Sequence, residues 1–109
     1  MQSRVALVTG GTGGIGSSIV QRLAAMGHRV ATNYRDEGRA LAWQSKMRER
    51  GVDVVLARGD VSSPEEAQSL VADIERDLGP IEVLVNNAGI TRDSTFHRMT
   101  PMQWNEVIG

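Results

Sequence analysis

Short apolar runs alternate with longer amphipathic segments along this 109-residue chain, and glycine or proline separates most of them. Four apolar runs predict buried strands, at Arg4–Thr9, Arg29–Asn33, Val52–Ala57 and Ile81–Val85. The segments between them predict helices that end near Met26, Arg50 and Leu78. Strands that alternate with helices indicate right-handed crossovers and therefore a parallel sheet.

Each predicted helix carries apolar residues at helical spacing, and these would cover one face of the sheet. The stripe of the first helix is Ile15, Ile19, Val20, Leu23 and Met26. The second helix has a weak stripe, so we expect it to lie on a partly solvated face; the stripe is Leu41, Trp43 and Met47. The third helix has a strong stripe, formed by Ala67, Leu70, Val71, Ile74 and Leu78.

Two predicted helix starts have the residues of a capping box, in which a cap side chain and a residue three positions later bond reciprocally to the backbone. Ser63 and Glu66 mark the start of the third helix, and Pro64 fills its first position. Thr100 and Gln103 mark a fourth helix, which follows a polar loop.

The predicted fold is α/β, the N-terminal half of a Rossmann-type doubly wound parallel sheet with strand order 3-2-1-4. In that order the first and fourth strands are neighbours, so the segments after them face one crevice at the carboxyl ends of the strands. A ligand is expected in this crevice. The fourth strand would keep an unpaired edge, which is an association hazard.

The stretch Thr9-Gly10-Gly11-Thr12-Gly13-Gly14-Ile15-Gly16 lies between the first strand and the first helix. A glycine-rich loop in that context indicates dinucleotide binding, because the backbone approaches a pyrophosphate closely and the helix start offers unpaired N–H groups. The stretch satisfies G-x-G-x-x-G, T-G-x-x-G-x-x-G and T-G-x-x-x-G-x-G at once, so its spacing alone selects no family. A glycine-rich turn without a ligand is the alternative.

Composition narrows the classes of function. A formal net charge of −1 provides no basic field for nucleic acid, and the absence of cysteine excludes disulfides, thiol catalysis and cysteine-ligated metal sites. No apolar run approaches the roughly 20 residues of a membrane span. We therefore expect a soluble, cytoplasmic protein without nucleic-acid, membrane or metal partners.

A second motif separates the candidate families. Asn86-Asn87-Ala88-Gly89 follows the fourth strand, and Asp60-Val61 follows the third. With the T-G-x-x-x-G-x-G spacing, these motifs resemble the short-chain dehydrogenase/reductase family over the whole chain. The second glycine spacing also permits a sugar-nucleotide epimerase type, against which Asn86-Asn87-Ala88-Gly89 argues. The run Ile90-Thr91-Arg92-Asp93 is similar to the β-ketoacyl reductase branch, which includes the bacterial acetoacetyl-CoA reductases of polyhydroxyalkanoate synthesis.

The resemblance implies NADPH-dependent reduction of an acyl-CoA thioester, acetoacetyl-CoA, by a complete enzyme that forms a homotetramer. The alternative within the branch is a 3-oxoacyl-acyl-carrier-protein reductase. The resemblance implies a substrate contact for Asp93, whereas Asn86 is expected to tie neighbouring strands together. Implied cofactor contacts are Gly10, Thr12, Gly13, Gly14, Ile15, Gly16, Gly59, Asp60, Val61, Asn87, Ala88, Gly89, Ile90 and Thr91.

The residues after the second strand favour NADP over NAD. An NAD enzyme needs an acidic residue at the end of that strand to bind the ribose 2′-hydroxyl. The strand ends in Thr32-Asn33-Tyr34 instead, with Asn33 at or near the selecting position. Arg35 and Arg39 follow and are expected to pair with a 2′-phosphate. Asp36 lies about 20 residues past the glycine loop, but we interpret it as a helix-start acid.

The resemblance also implies catalysis by a Tyr-x-x-x-Lys pair with a serine and an asparagine. Tyr34 and Lys46, the one tyrosine and the one lysine, are too far apart to form that pair, so no catalytic residue is expected here. We expect residues 1–109 to be the N-terminal part of one reductase domain, inactive alone. A natural gene product near 11.8 kDa would contradict this. A freestanding chain would instead be a non-catalytic dinucleotide-binding module.

Overall fold

Helices and strands alternate along the computed structural model, which describes residues 3–87 and the backbone of residues 95–98. The elements are β1 Val5–Thr9, α1 Gly14–Ala25, β2 Arg29–Tyr34, α2 Glu37–Glu49, β3 Val54–Arg58, α3 Pro64–Leu78, β4 Ile81–Asn86 and β5 Thr95–Arg98. The four predicted strands and the first three predicted helices are present, with ends that differ by at most two residues. The helix start predicted at Thr100 and Gln103 lies outside the described residues.

The strands form one sheet in the order β3-β2-β1-β4-β5, and β1 to β4 are parallel. This confirms the Rossmann-type order 3-2-1-4. Val8 lies opposite Thr32, and Thr9 lies opposite Asn86. The carboxyl ends of β1, β2 and β4 therefore lie side by side, as the predicted crevice requires.

The outer edge of β4 is paired, so the prediction of an unpaired edge was wrong. β5 runs antiparallel to β4, with Phe96 opposite Val85 and Thr95 opposite Asn86. The edge of a strand presents a row of N–H and C=O groups, and a following segment satisfies them when it folds back. The loop predicted before Thr100 thus contains a strand, which is too short to show a periodic pattern in the sequence.

Two hydrophobic clusters lie on opposite faces of the sheet. Alternate residues of β1 belong to different clusters, because successive side chains of a strand point to opposite faces. Leu7 packs with residues of α3, whereas Val8 packs with residues of α1 and α2. Within the described residues, no helix is both long and apolar enough to cross a membrane.

The helix stripes were predicted with mixed success. The α3 stripe is confirmed, since Ala67, Leu70 and Ile74 are buried, and α2 is partly solvated as expected. The predicted burial was wrong for Ile15, Met26 and Leu41, whose exposed fractions are 57%, 42% and 51%. The buried residues of α1 are Gly16, Val20 and Leu23. Ile15 lies in the first turn of this helix, and Met26 directly follows its last residue.

Candidate functional site

A cleft of about 620 Å³ lies at the carboxyl ends of the parallel strands, where the sequence predicts a ligand. Its walls come from the glycine loop, from the residues that follow β2 and β3, and from the end of β4. Seven predicted site residues line it, Gly10, Thr12, Gly13, Arg35, Arg39, Asp60 and Val61. The other lining residues are Asn33, Tyr34, Asp36, Ala40, Ser62 and Asn86.

Thr32, buried in β2, ties the glycine loop to the sheet. Its Oγ1 accepts a hydrogen bond from the Gly11 N–H at 2.8 Å and donates one to the Val8 carbonyl at 2.7 Å. A Cβ atom at Gly11 would lie 2.5 Å from this oxygen, so Gly11 is required by the close approach of the loop to Thr32.

Asn33 forms a second tie, at the position where the sequence suggested cofactor selection. Its Oδ1 accepts from the Gly10 N–H at 2.9 Å, and its Nδ2 donates to the Gly59 carbonyl at 3.0 Å. A carboxylate at this position has no N–H for the Gly59 carbonyl. Asn33 therefore has a structural reason to be an amide, and Tyr34 and Arg35 follow it along the cleft wall.

The two asparagines that end β4 connect this strand to the glycine loop. The hydroxyl of Thr9 donates to Asn86 Oδ1 at 3.2 Å and accepts from the Asn87 N–H at 2.9 Å. The Asn87 side-chain amide donates to the Gly10 carbonyl at 3.1 Å. Asn86 ties the strands together as predicted, and it also lines the cleft.

The loop positions differ in whether the fold requires glycine. Gly10 has φ +67°, a conformation that L side chains rarely adopt, and a Cβ at Gly16 would lie 2.4 Å from the Gly10 carbonyl oxygen. At Gly14, by contrast, no described atom lies within 4 Å of an added Cβ. Glycine lowers the stability of a helix, so the fold gives no reason for Gly14, whereas a ligand that approaches the backbone would need this clearance.

The start of α1 is suited to an anion. Within the described residues, Gly13 provides no side-chain cap and the first turn contains no acidic residue. The Ser17 N–H donates to the Gly13 carbonyl at 2.7 Å, and the N–H groups of Gly14, Ile15 and Gly16 come before it. No carbonyl of α1 is available to these three groups, and the helix dipole adds a partial positive charge there. Together they fit a phosphate.

The residues after β2 supply positive charge to the same cleft. Asp36 caps α2 by accepting a hydrogen bond from the Arg39 N–H at 3.2 Å, which confirms its interpretation as a helix-start acid. Arg35 is 78% exposed, with its Nη1 3.8 Å from Asp60 Oδ2. An exposed ion pair contributes little, so the Arg35 guanidinium is able to bind a second anion.

Asp60 is held in the turn after β3. The hydroxyl and the N–H of Ser62 donate to Asp60 Oδ1 at 2.6 Å and 2.9 Å. These hydrogen bonds lower the pKa of Asp60 below its ordinary value, and the nearby Arg35 charge acts in the same direction. The carboxylate is therefore ionised at neutral pH.

The predicted capping box of α3 is only half formed. Ser63 Oγ accepts from the Glu66 N–H at 3.4 Å, as predicted. The Glu66 carboxylate, however, accepts from the Asp60 N–H at 3.1 Å rather than from Ser63. The Ser63 N–H already donates to the Asp60 carbonyl at 3.0 Å, so the box has no second donor to satisfy.

The remaining predicted site residues lie near the cleft or beyond the described chain. Gly14, Ile15 and Gly16 form the first turn of α1, Gly59 precedes Asp60, and Asn87 contacts Gly10. The predictions for Ala88, Gly89, Ile90, Thr91 and Asp93 fall outside the described residues. Thr32 was missed as a site-forming residue, although two polar residues at the end of an apolar strand are a usable signal.

Comparisons with known proteins place the chain in a family. The family model for short chain dehydrogenases matches residues 4–109. Acetoacetyl-CoA reductases of Rhizobium meliloti (strain 1021) and Shinella zoogloeoides are 53% and 50% identical over 98% and 97% of the chain. A 3-oxoacyl-acyl-carrier-protein reductase of Staphylococcus aureus (strain Mu50 / ATCC 700699) is 38% identical over 97% of the chain.

The chain spans 43%, 42% and 44% of the lengths of these three relatives. Among solved structures, an actinorhodin polyketide ketoreductase variant with NADPH matches 81% of the chain and 34% of its own, with TM-score 0.75 and 44% identity. A metagenomic blue fluorescent protein in complex with NADPH matches 80% of the chain and 36% of its own, with TM-score 0.69 and 39% identity. The fold, the glycine loop and these matches agree, and the chain belongs to the short-chain dehydrogenase family.

Proposed function

We propose that the cleft binds NADPH, and that the natural gene product containing this chain reduces acetoacetyl-CoA to 3-hydroxybutyryl-CoA. The cofactor proposal rests on the start of α1, beside the cleft. This helix start has three N–H groups without a helical acceptor, and open space at Gly14 lets a ligand approach the backbone. The acetoacetyl-CoA reductases at 53% and 50% identity support the substrate.

The described residues fit the parts of a dinucleotide. The N–H groups of Gly14, Ile15 and Gly16 would hold the pyrophosphate, and Asp60 and Val61 would border the adenine. Asn87 would lie beside the nicotinamide ribose, and Ala88 to Thr91, which lie outside the described residues, are proposed to continue along it. NADPH supplies the hydride for the carbonyl group of the substrate. The described residues bind and orient the cofactor, and none of them is proposed to transfer a proton.

The proposed preference for NADPH rests on the charges beside the cleft. Arg35 and Arg39 line it, whereas the carboxylate of Asp36 caps α2. A guanidinium binds a 2′-phosphate through charge-assisted hydrogen bonds, and an acid positioned for the 2′-hydroxyl would repel that phosphate. The carboxylate of Asp36, which directly follows Arg35, is thus occupied by the helix start.

Arg35→Ala and Arg39→Ala test this preference. Hydrogen bonds to charged groups contribute about 1.5–3 kcal/mol, so each variant should weaken NADPH binding by roughly 10- to 100-fold. NADH binding should change by less than about threefold, since NADH has no 2′-phosphate. Calorimetric titration of both cofactors measures the difference.

Arg22→Ala is the matched control, because Arg22 lies in the last turn of α1 and away from the cleft. It should leave the affinities for both cofactors unchanged. Equal losses of NADPH and NADH affinity in the Arg35 and Arg39 variants would remove the proposed preference.

The substrate is tested with the natural gene product, expressed from its complete reading frame. We expect this product to reduce acetoacetyl-CoA with NADPH, and the loss of NADPH absorbance measures the rate. Higher kcat/KM for the acyl-carrier-protein thioester would favour the second candidate, a 3-oxoacyl-acyl-carrier-protein reductase, which the Staphylococcus aureus relative supports. The homotetramer stays a prediction that sedimentation of the same product tests.

A further inference from the structure

A hydrogen-bonded chain links α2 to the start of α1. The Trp43 Nε1–H donates to Ser17 Oγ at 2.8 Å. An indole N–H is only a donor, so the Ser17 oxygen must accept in this bond. The single hydroxyl hydrogen of Ser17 is then free for the Gly13 carbonyl, which lies 2.6 Å from Ser17 Oγ. The direction of both bonds is fixed, because the indole N–H only donates and a carbonyl oxygen only accepts. The Gly11 carbonyl is a more distant acceptor for the same hydroxyl, at 3.4 Å.

The Gly13 carbonyl thus receives two hydrogen bonds from Ser17, one from its hydroxyl and one from its N–H at 2.7 Å. The carbonyl of Gly13 and the N–H of Gly14 belong to the same planar trans peptide unit, in which they point in opposite directions. Holding the carbonyl toward Ser17 therefore holds the Gly14 N–H on the opposite side, at the open start of the helix. Gly14 is the position where an added Cβ meets no described atom within 4 Å.

Trp43 lies one helical turn after Arg39 on α2, so both side chains lie on the same side of this helix. Its ring is half-buried and packs against the cluster that contains Val20 and Met47. A ring held in this way keeps its N–H directed at Ser17. Helix α2 carries Arg39, which is proposed to bind the 2′-phosphate. Through Trp43, the same helix would also orient the Gly14 N–H, which is proposed to bind the pyrophosphate.

We propose that Trp43 is a positioning residue for the dinucleotide, which acts through Ser17 to orient the Gly14 N–H toward the pyrophosphate. This inference rests on the proposed function of the cleft. It assigns Trp43 a role in binding the pyrophosphate, and none in binding the adenosine 2′-phosphate.

Trp43→Phe tests the proposal, because phenylalanine keeps an aromatic ring and removes the N–H. Two probes are titrated by calorimetry, NADPH and adenosine 2′-monophosphate, which has no pyrophosphate. Loss of one hydrogen bond in the chain should weaken NADPH binding by roughly 3- to 10-fold. Binding of adenosine 2′-monophosphate should change by less than about twofold. Ser17→Ala should reproduce this result, and the double variant should show no further loss, since both residues act in one chain.

Gln44→Leu is the matched control for a merely structural effect. Gln44 also joins α2 to the sheet, through a 2.8 Å hydrogen bond from its Nε2 to the Val54 carbonyl, but it does not contact the glycine loop. We expect this variant to lose stability and keep its affinity for NADPH. The same affinity for NADPH in wild type and Trp43→Phe, or equal losses for both probes, would overturn the proposal.

A measurement without ligand separates this inference from the proposed function. The Gly14 amide resonance should shift in Trp43→Phe and Ser17→Ala, but not in Gln44→Leu. If wild type binds no NADPH, the proposed function fails and the role of Trp43 in dinucleotide binding fails with it, even where the amide responds. If wild type binds NADPH and the Gly14 amide does not respond, the role of Trp43 alone is overturned.

Discussion

The starts of α1 and α3 solve the same physical problem in opposite ways. Every helix begins with N–H groups that lack a helical acceptor. At α3 the protein satisfies and neutralises them itself, with Ser63 as the cap and Glu65 and Glu66 in the first turn. At α1 there is neither a side-chain cap nor an acid within the described residues.

The difference separates a helix start that stabilises the fold from one that we propose to bind a ligand. A side-chain cap stabilises a helix by about 0.5–2 kcal/mol. An acid in the first turn adds about 0.3–1 kcal/mol. The start of α1 lacks these contributions, and it has glycine at positions 13, 14 and 16. We infer that an external anion replaces the missing acceptors at α1, whereas α3 has no need of one.

Gly16→Ala and Gly14→Ala should produce the largest effects at the start of α1. A Cβ at Gly16 would lie 2.4 Å from the Gly10 carbonyl, so the helix must move, which we expect to destabilise the protein by about 3 kcal/mol. Gly14→Ala meets no described atom within 4 Å and should keep or raise the stability, by up to ~1 kcal/mol. It should nevertheless weaken NADPH binding. Urea denaturation and NADPH titration measure the two effects, and unchanged NADPH affinity in Gly14→Ala would count against the proposed clearance.

Gly13→Asp makes the start of α1 resemble that of α3. The extended conformation of Gly13, with φ −80° and ψ 175°, accepts any residue, and an added Cβ is 3.7 Å from its nearest neighbour. The carboxylate would compete with a phosphate for the same N–H groups, so we expect at least about tenfold weaker NADPH binding. Gly13→Asn has the same shape without the charge and should lose less affinity. Equal losses in both variants would show that size rather than charge excludes the ligand.

Ser63→Ala removes the cap of α3. The hydrogen bond from the Glu66 N–H to Ser63 Oγ is long, at 3.4 Å, so the loss of stability should lie near the low end for a cap, about 0.5–1 kcal/mol. Thermal unfolding measures it. The N–H groups at the start of α3 are capped by the protein's own side chains, so NADPH affinity should not change. A clear loss of affinity would contradict the proposed difference between the two helix starts.

The smallest expected effect concerns the pKa of Asp60. Ser62→Ala removes the hydroxyl that lowers it most, so the pKa should rise toward the ordinary value of 3.8. Because the pKa is lower in the folded state, the ionised carboxylate contributes stability that is present above the ordinary value. That stability is lost as the pH falls below 3.8 toward the folded pKa. An NMR titration of the Asp60 carboxyl measures both pKa values, and a wild-type pKa at or above 3.8 would contradict the assignment.

Much of the fold could be predicted from the sequence, because periodicity reports which residues face a core. The stripe of α3 and the order of the first four strands are examples. What periodicity does not report is which residues at the ends of a helix contact the sheet, so Ile15 and Met26 were wrongly placed in the core. A segment that folds back as an edge strand depends on the unpaired neighbour rather than on its own residues, and β5 was missed for that reason.

The candidate site was predictable where the proposed ligand-binding residues come soon after a strand in the sequence. The glycine loop, Arg35 and Asp60 lie directly after strands, at positions that the topology brings together. The ties by Thr32 and Asn33 join residues more than twenty positions apart, and they depend on strand register. The Glu66 carboxylate likewise bonds to Asp60 rather than to Ser63, because the turn before α3 had already used the donor that the local motif expects.

The side-chain ties on the glycine loop have a consequence for how fast and how tightly a ligand binds. Thr32, Asn33 and Asn87 hold the backbone of Gly10 and Gly11 before any ligand arrives. The conformational entropy of ordering this segment is therefore lost during folding, and it does not reduce the affinity for the ligand. A dinucleotide should consequently associate in one kinetic phase, without the slower step that rearrangement of a loop would add.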